Sequence, residues 1–144
     1  MIVRSAEEFV ELTLDDELAT VTLSRPDRLN AASPQLVSQL LKVLQEALSS
    51  GARVIILRGS GRAFCAGHDL KEPVLEANSE EFMNHLNNLQ SITRLLRNEK
   101  LISIASIHGF ALGAGLEFAL SCDFILAAKD TVMGFPEVSV GLSV

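Results

Sequence analysis

The sequence predicts an α/β fold, on three observations. Apolar runs of the kind that become fully buried strands, RVIILRG at 53–59 and LISIASIHG at 101–109, alternate with longer segments of helical period. Ser33 and Ser79 stand where helices should begin, one followed by a proline and the other by two glutamates. Glycine-rich turns, GSGRAFCAG and GFALGAG, follow the two apolar runs, as connections do at the ends of buried strands.

Each element follows in order. Residues 8–14 and 18–24 read as two strands joined by a tight acidic turn, with Val21 and Leu23 alternating against Thr20, Thr22 and Ser24. SRPDRLNA is a polar, proline-bearing loop. Ser33 then caps a helix with Pro34 at its first position. Leu36, Leu40, Leu44 and Leu48, with Val37 and Leu41 beside them, give that helix one buried face before Gly51. RVIILRG is a strand and GSGRAFCAGHDLKE a loop. Ser79 caps a second helix, whose first turn holds Glu80 and Glu81 and whose apolar face is Phe82, Leu86, Leu89 and Leu96. LISIASIHG is a strand, GFALGAG a turn, LEFALS a short helix and DFILAA a strand. TVMGFPEVSVGLSV reads as strand, turn and partial strand. The expected order is β, β, α, β, loop, α, β, α, β, β, with the strands short and buried.

With 144 residues, 48% of them hydrophobic and 21% charged, the chain has ordinary globular composition and reads as one domain over 1–144. Its net charge of -6 argues against a nucleic-acid partner, which needs a basic face. A membrane partner is not expected: there is no basic amphipathic helix and no apolar run of spanning length, and MIVRSAEEF lacks a signal-peptide pattern. Cys65 and Cys122 read as two reduced thiols of a cytoplasmic protein. The sequence stops at GLSV, inside an apolar stretch, so it is expected to be the front part of a longer protein.

The residues that ask for a chemical explanation are two stranded glutamates. Glu117 lies in ALGAGLEFAL among apolar residues and glycines, where an ionised carboxylate is costly unless paired, hydrogen-bonded or neutralised. Glu137 lies in FPEV, beside Pro136 and again among apolar residues. Each alone could be an exposed turn residue. Together they suggest a pair of general acid and base groups. The stretch before Glu117 also forms a strand, glycine turn and helix start, where free N–H groups and the helix dipole favour negative charge. If the loop FCAGHDL lies beside it, the two could offer backbone donors to one oxygen, an oxyanion hole that needs no particular side chain. Competing readings are weaker. GAGLEF lacks the third glycine and the downstream acid of a dinucleotide site, and FCAGHDL lacks the ending of a phosphate loop. His68, Asp69, His85 and His108 fall at no zinc spacing, so no metal is expected, and there is no nucleophile elbow.

RPDRLNA at 25–31, FCAGHDLKE at 64–72, IHGFALGAGLEFALSCDF at 107–124 and FPEVSVGL at 135–142 together resemble the crotonase superfamily, specifically enoyl-CoA hydratases. The resemblance runs collinearly from about residue 9 to the end. It implies a crotonase-like spiral of β-β-α units, with the C-terminal part missing here, and an acyl-CoA thioester as substrate. Coenzyme A enters as part of that substrate, and no separate cofactor is implied. By position in the motifs, the backbone N–H groups of His68 and Ala114 would form the oxyanion hole. Glu117 and Glu137 would match the two catalytic glutamates, with Glu117 acting on the water and Glu137 on the α-carbon proton. Arg25, Asn30, Ala31, Ala66, Gly67, Asp69, Leu70, Lys71 and Gly113 fall in the blocks that meet substrate and CoA, Lys71 being placed for a CoA phosphate. His68 stands where the family commonly has a small residue, and Ala114 replaces a common glycine. The resemblance also implies a longer chain, whose C-terminal part closes the acyl site and assembles the protein as a homotrimer or hexamer. Two alternatives stay open: an enoyl-CoA isomerase, which needs mainly the Glu137 carboxylate, and a non-catalytic paralogue that binds CoA esters or a partner chain.

Overall fold

The computed structural model describes residues 2–3, 8–67 and 75–136. Four strands begin the larger sheet: β1 (Ile2–Val3), β2 (Val10–Asp15), β3 (Leu18–Leu23) and β4 (Val54–Gly59). It continues through β5 (Ile102–Ile107) and, skipping β6 (Phe110–Leu112), ends at β7 (Phe124–Ala127). The first three strands are antiparallel, and β3, β4, β5 and β7 are parallel. A smaller sheet pairs β6 with β8 (Val132–Gly134) in parallel, and Cys65 bridges to Ala111 of β6.

These pairings give the fold its logic. After β4 the chain crosses to the small sheet at Cys65. From β5 it crosses to β6, and from β7 to β8. The first pass adds β4 to the larger sheet and a single bridge at Cys65 to the smaller, the next two add one strand to each, and a helix precedes each of β4, β5 and β7: α1 (Pro34–Ser49), α2 (Glu80–Leu96) and α3 (Ala114–Ser121). This is the spiral of β-β-α units expected from the motifs.

Local chemistry explains the helices. Ser33 Oγ accepts from the Leu36 N–H at 3.2 Å with Pro34 in the first turn, and Ser79 Oγ accepts from the Phe82 N–H at 3.1 Å above Glu80 and Glu81. Helix α1 buries Leu36, Val37, Leu40, Val43, Leu44 and Ala47, against β2, β3 and α2. Leu41 and Leu48 flank that face half-buried rather than lying on it. In α2 the burial concentrates at Ile92 and Leu96, while Phe82, Leu86 and Leu89 are half-buried.

Two expectations change. GFALGAG is not only a turn, because Phe110–Leu112 is a strand. Bounded by Gly109 (φ 64°) and Gly113 (φ 55°), it is too short to display the alternation that betrays a strand. Strand β7 does form, but it is not buried: Phe124 is 60% and Leu126 65% exposed. It is the sheet's edge, and among the described residues no strand pairs beyond it.

Candidate active site

The two glycine loops are neighbours. The Phe64 N–H donates to the His108 carbonyl at 2.9 Å and the Cys65 N–H to that of Phe110 at 3.1 Å, while the Leu112 N–H donates to the Cys65 carbonyl at 3.0 Å. This ladder carries the chain to Gly67, whose φ of 81° suits glycine. A Cβ there would lie 2.7 Å from the Leu112 carbonyl oxygen and 3.5 Å from the Gly113 Cα. On the other side of the contact, a Cβ on Gly115 would collide with the Cys65 carbonyl. Glycines at 67 and 115 therefore let the end of the first loop lie flat against the start of α3.

Helix α3 begins from an unusual backbone. Gly113 adopts φ 55°, ψ -123°, a conformation costly to a residue with a Cβ, and its N–H donates to the Gly134 carbonyl at 2.9 Å. Ala114 follows as the first helical residue. Its N–H has no acceptor within the helix and none among the described residues, and it sits at the positive end of the helix dipole. Glu117 lies three residues on, hence on the same side of the helix as Ala114, and Cβ atoms tilt toward a helix's N-terminus. Its own N–H closes the first turn onto the Gly113 carbonyl at 3.0 Å. Glu117 is half-buried, whereas Leu116, Phe118 and Ala119 beside it are buried. Glu117 thus lies off the buried side of α3, on the side it shares with Ala114.

The third contributor is the loop at 25–33. The Ala66 N–H donates to the Leu29 carbonyl at 3.0 Å and the Ala32 N–H to the Gly67 carbonyl at 2.6 Å, so this loop borders the segment that reaches the site. Arg25 is half-buried, with its guanidinium 4.5 Å from the centre of the Phe9 ring and Nη1 3.2 Å from Ser33 Oγ. Ala31 and Asn30 are buried. The Asn30 amide is committed to the protein itself: Oδ1 accepts from the Arg25 N–H at 2.7 Å, and Nδ2 donates to the Ser60 and Ala63 carbonyls, each at 2.9 Å. Of the other site residues expected from sequence, His68, Asp69, Leu70, Lys71 and Glu137 lie outside the described residues. The structure thus brings Ala66, Gly67, Gly113, Ala114 and Glu117 together, with Arg25, Asn30 and Ala31 on the bordering loop. Among the described residues no group of three or more His, Cys, Asp or Glu gathers as a metal site would.

A feature missed from sequence holds the far end of α3. The Ser103 N–H donates to Asp123 Oδ2 at 2.9 Å, the Asp123 N–H to Ser103 Oγ at 3.1 Å, and Ser103 Oγ to the Leu96 carbonyl at 2.7 Å. This staple ties the residues after α3 to β5 and α2. A serine in an apolar strand was the signal for it, since a buried hydroxyl needs a partner.

The thiols take no part in this chemistry. Burial pushes Cys65 up to about 12, against a smaller opposing effect of a hydrogen bond from the Gly67 backbone. Burial also pushes Cys122 up to about 11; the Ser103 hydrogen bond opposes this and the Asp123 charge adds to it. Both should stay protonated and react with Ellman's reagent at pH 8 far more slowly than in denatured protein. Because the folded values lie above the ordinary thiol value of 9.0, their contribution is intact below pH 9 and is lost as pH rises toward 11–12. Equilibrium unfolding across that window should show falling stability, and a Cys122→Ala variant should show less of the fall.

The family model described as enoyl-CoA hydratase/isomerase matches residues 13–143. The chain belongs to that family. Among hydratase/isomerase relatives, a Bacillus subtilis protein named for this activity, YhaR, is 35% identical over 135 residues, which cover 94% of this chain and 53% of YhaR. A solved structure titled enoyl-CoA hydratase/carnithine racemase, from Magnetospirillum magneticum, superposes with a TM-score of 0.84 at 33% identity, covering 96% of this chain and 53% of that one. A Thermobifida fusca structure of the hydratase type, solved in complex with acetoacetyl-CoA, gives a TM-score of 0.80 at 27% identity, covering 94% of this chain and 56% of its own. The fold is thus crotonase-like, and the chain spans about half the length of the hydratase/isomerase relatives it matches.

Proposed function

We propose that this site binds the thioester of a 2-enoyl-CoA and adds water across its double bond to give a 3-hydroxyacyl-CoA. The observation that carries the reading is the start of α3. There an uncommitted Ala114 N–H, a glycine-flattened contact with the Gly67 loop and the half-buried Glu117 share one place. The acetoacetyl-CoA complex of the Thermobifida relative supports an acyl-CoA as the ligand class.

The chemistry asks for what these residues offer. When water oxygen bonds to C3, electron density moves through C2 onto the thioester oxygen. Two backbone donors, Ala114 and His68, would stabilise that charge, one of them with the helix dipole behind it. Ionised Glu117 would take one proton from water while protonated Glu137 delivers one to C2, and proton exchange with solvent would return both to their starting states, so that atoms and charge balance over the cycle. CoA enters as part of the substrate, and the mechanism uses no further group.

The test follows the ultraviolet band of a short 2-enoyl-CoA in the presence of the protein in its natural reading frame, with a 3-enoyl-CoA alongside. Loss of the 2-enoyl band with formation of 3-hydroxyacyl-CoA is expected. Faster consumption of the 3-enoyl thioester would replace hydration by double-bond isomerisation. A folded protein that leaves both untouched would remove the catalytic reading.

A further inference from the structure

Asn30 is fully buried and sits at φ 55°, directly after Leu29 at φ 53°. Two consecutive residues in the left-handed region cost energy that the surroundings must supply. The surroundings are the amide's own bonds. Nδ2 bridges the Ser60 and Ala63 carbonyls across the turn after β4, and Oδ1 takes the Arg25 N–H, while the Asn30 N–H returns to the Arg25 carbonyl at 3.0 Å. One side chain therefore locks the 25–30 loop to the 60–63 turn.

Its neighbours then hold the next residues of that same passing chain. Leu29, just before Asn30, accepts from the Ala66 N–H; Ala32, two residues after, donates to the Gly67 carbonyl. Fixing the Gly67 carbonyl holds the end of this segment in place. Gly67 is in turn pressed on Leu112 and Gly113, the residues that lead into Ala114. The ladder on the opposite side, through Cys65, Phe110 and Leu112, leaves this segment held between two walls.

We propose that Asn30 is a positioning residue: without touching substrate, it fixes the Ala66–Gly67 segment against the N-terminus of α3 and so sets the oxyanion geometry on which the hydratase reading rests. The sequence blocks group it with CoA-lining residues, but its amide is spent inside the protein. An asparagine suits the position twice, because it tolerates φ above zero and its amide offers both donors and an acceptor.

The test uses the full natural chain with Asn30→Gly, which keeps the backbone conformation at ease and removes the amide, and Asn30→Asp, which keeps the shape but turns a carboxylate onto two carbonyls. In both, kcat should fall by about 10²-fold, the scale of losing one oxyanion donor, with KM and acetoacetyl-CoA affinity little changed. Hydrogen exchange at the Ala32 and Ala66 amides should quicken while the β2–β3 amides keep their protection. Unchanged exchange at Ala32 and Ala66 in a folded variant would overturn the proposal. So would a rise in KM with kcat held, which would return Asn30 to the CoA pocket, or loss of protection over the whole chain, which would make it a general folding residue. Should the wild-type protein not hydrate 2-enoyl-CoA, the hydratase reading fails by itself, and the exchange pattern still decides whether Asn30 holds the segment.

Discussion

Glu117→Gln should lower turnover of a 2-enoyl-CoA by about 10²–10⁴-fold, the range a positioned acid or base contributes, while binding of acetoacetyl-CoA stays within a few-fold. The substitution keeps the side chain's shape at a half-buried position whose helix bond is made by its backbone, so α3 should survive it. What it removes is the capacity to take a proton from water. The same change should matter little for a double-bond shift that relies on Glu137, so comparing 2-enoyl and 3-enoyl thioesters in the variant separates the two activities. Turnover of the 2-enoyl thioester at the wild-type rate would end the assignment of Glu117 as the base.

Gly67→Ala should damage both stability and catalysis. A Cβ at this φ of 81° is strained wherever it points, and here it would meet the Leu112 carbonyl at 2.7 Å, a backbone atom that cannot swing aside. The first loop must then move off the start of α3. We expect a loss of roughly 1–3 kcal/mol in stability from the strained backbone. On the proposed reading a fall in kcat of about 10²–10³-fold is expected as well, because the two proposed oxyanion donors would no longer converge. Gly51→Ala is the control: φ is 89° there, but nothing lies within 4 Å of the added carbon. Urea titration and steady-state kinetics on both variants distinguish strain alone from separation of the loops. If Gly67→Ala matches Gly51→Ala in stability and the wild type in turnover, the contact with Leu112 does not matter.

Much of this was legible because it is local. Ser33 with Pro34 and Ser79 with its two glutamates announce their helices by the chemistry of the first turn, and both caps form. Glu117 announces itself by the cost of a carboxylate in an apolar run. What sequence conceals is carried by backbone pairing over long separations. The bridge from Cys65 to Ala111 and the pairing of Phe110 with Val132 build the small sheet, yet no side-chain period marks either. Strand β6 is too short for a pattern. Asn30 was visible as a polar letter in a loop, but only the positions of Ser60 and Ala63 reveal what its amide does. The exposure of Phe124 and Leu126 likewise depends on β7 being an edge, which its own residues do not encode.

The central claim is that the backbone at the start of α3 receives the thioester oxygen. A crystal structure of the natural full-length protein with acetoacetyl-CoA tests it most directly. The account predicts the thioester oxygen about 2.7–3.1 Å from the Ala114 nitrogen, with the Glu117 carboxylate facing the acyl carbons. A bound ligand whose thioester oxygen lies away from Ala114, with Glu117 turned elsewhere, would contradict it.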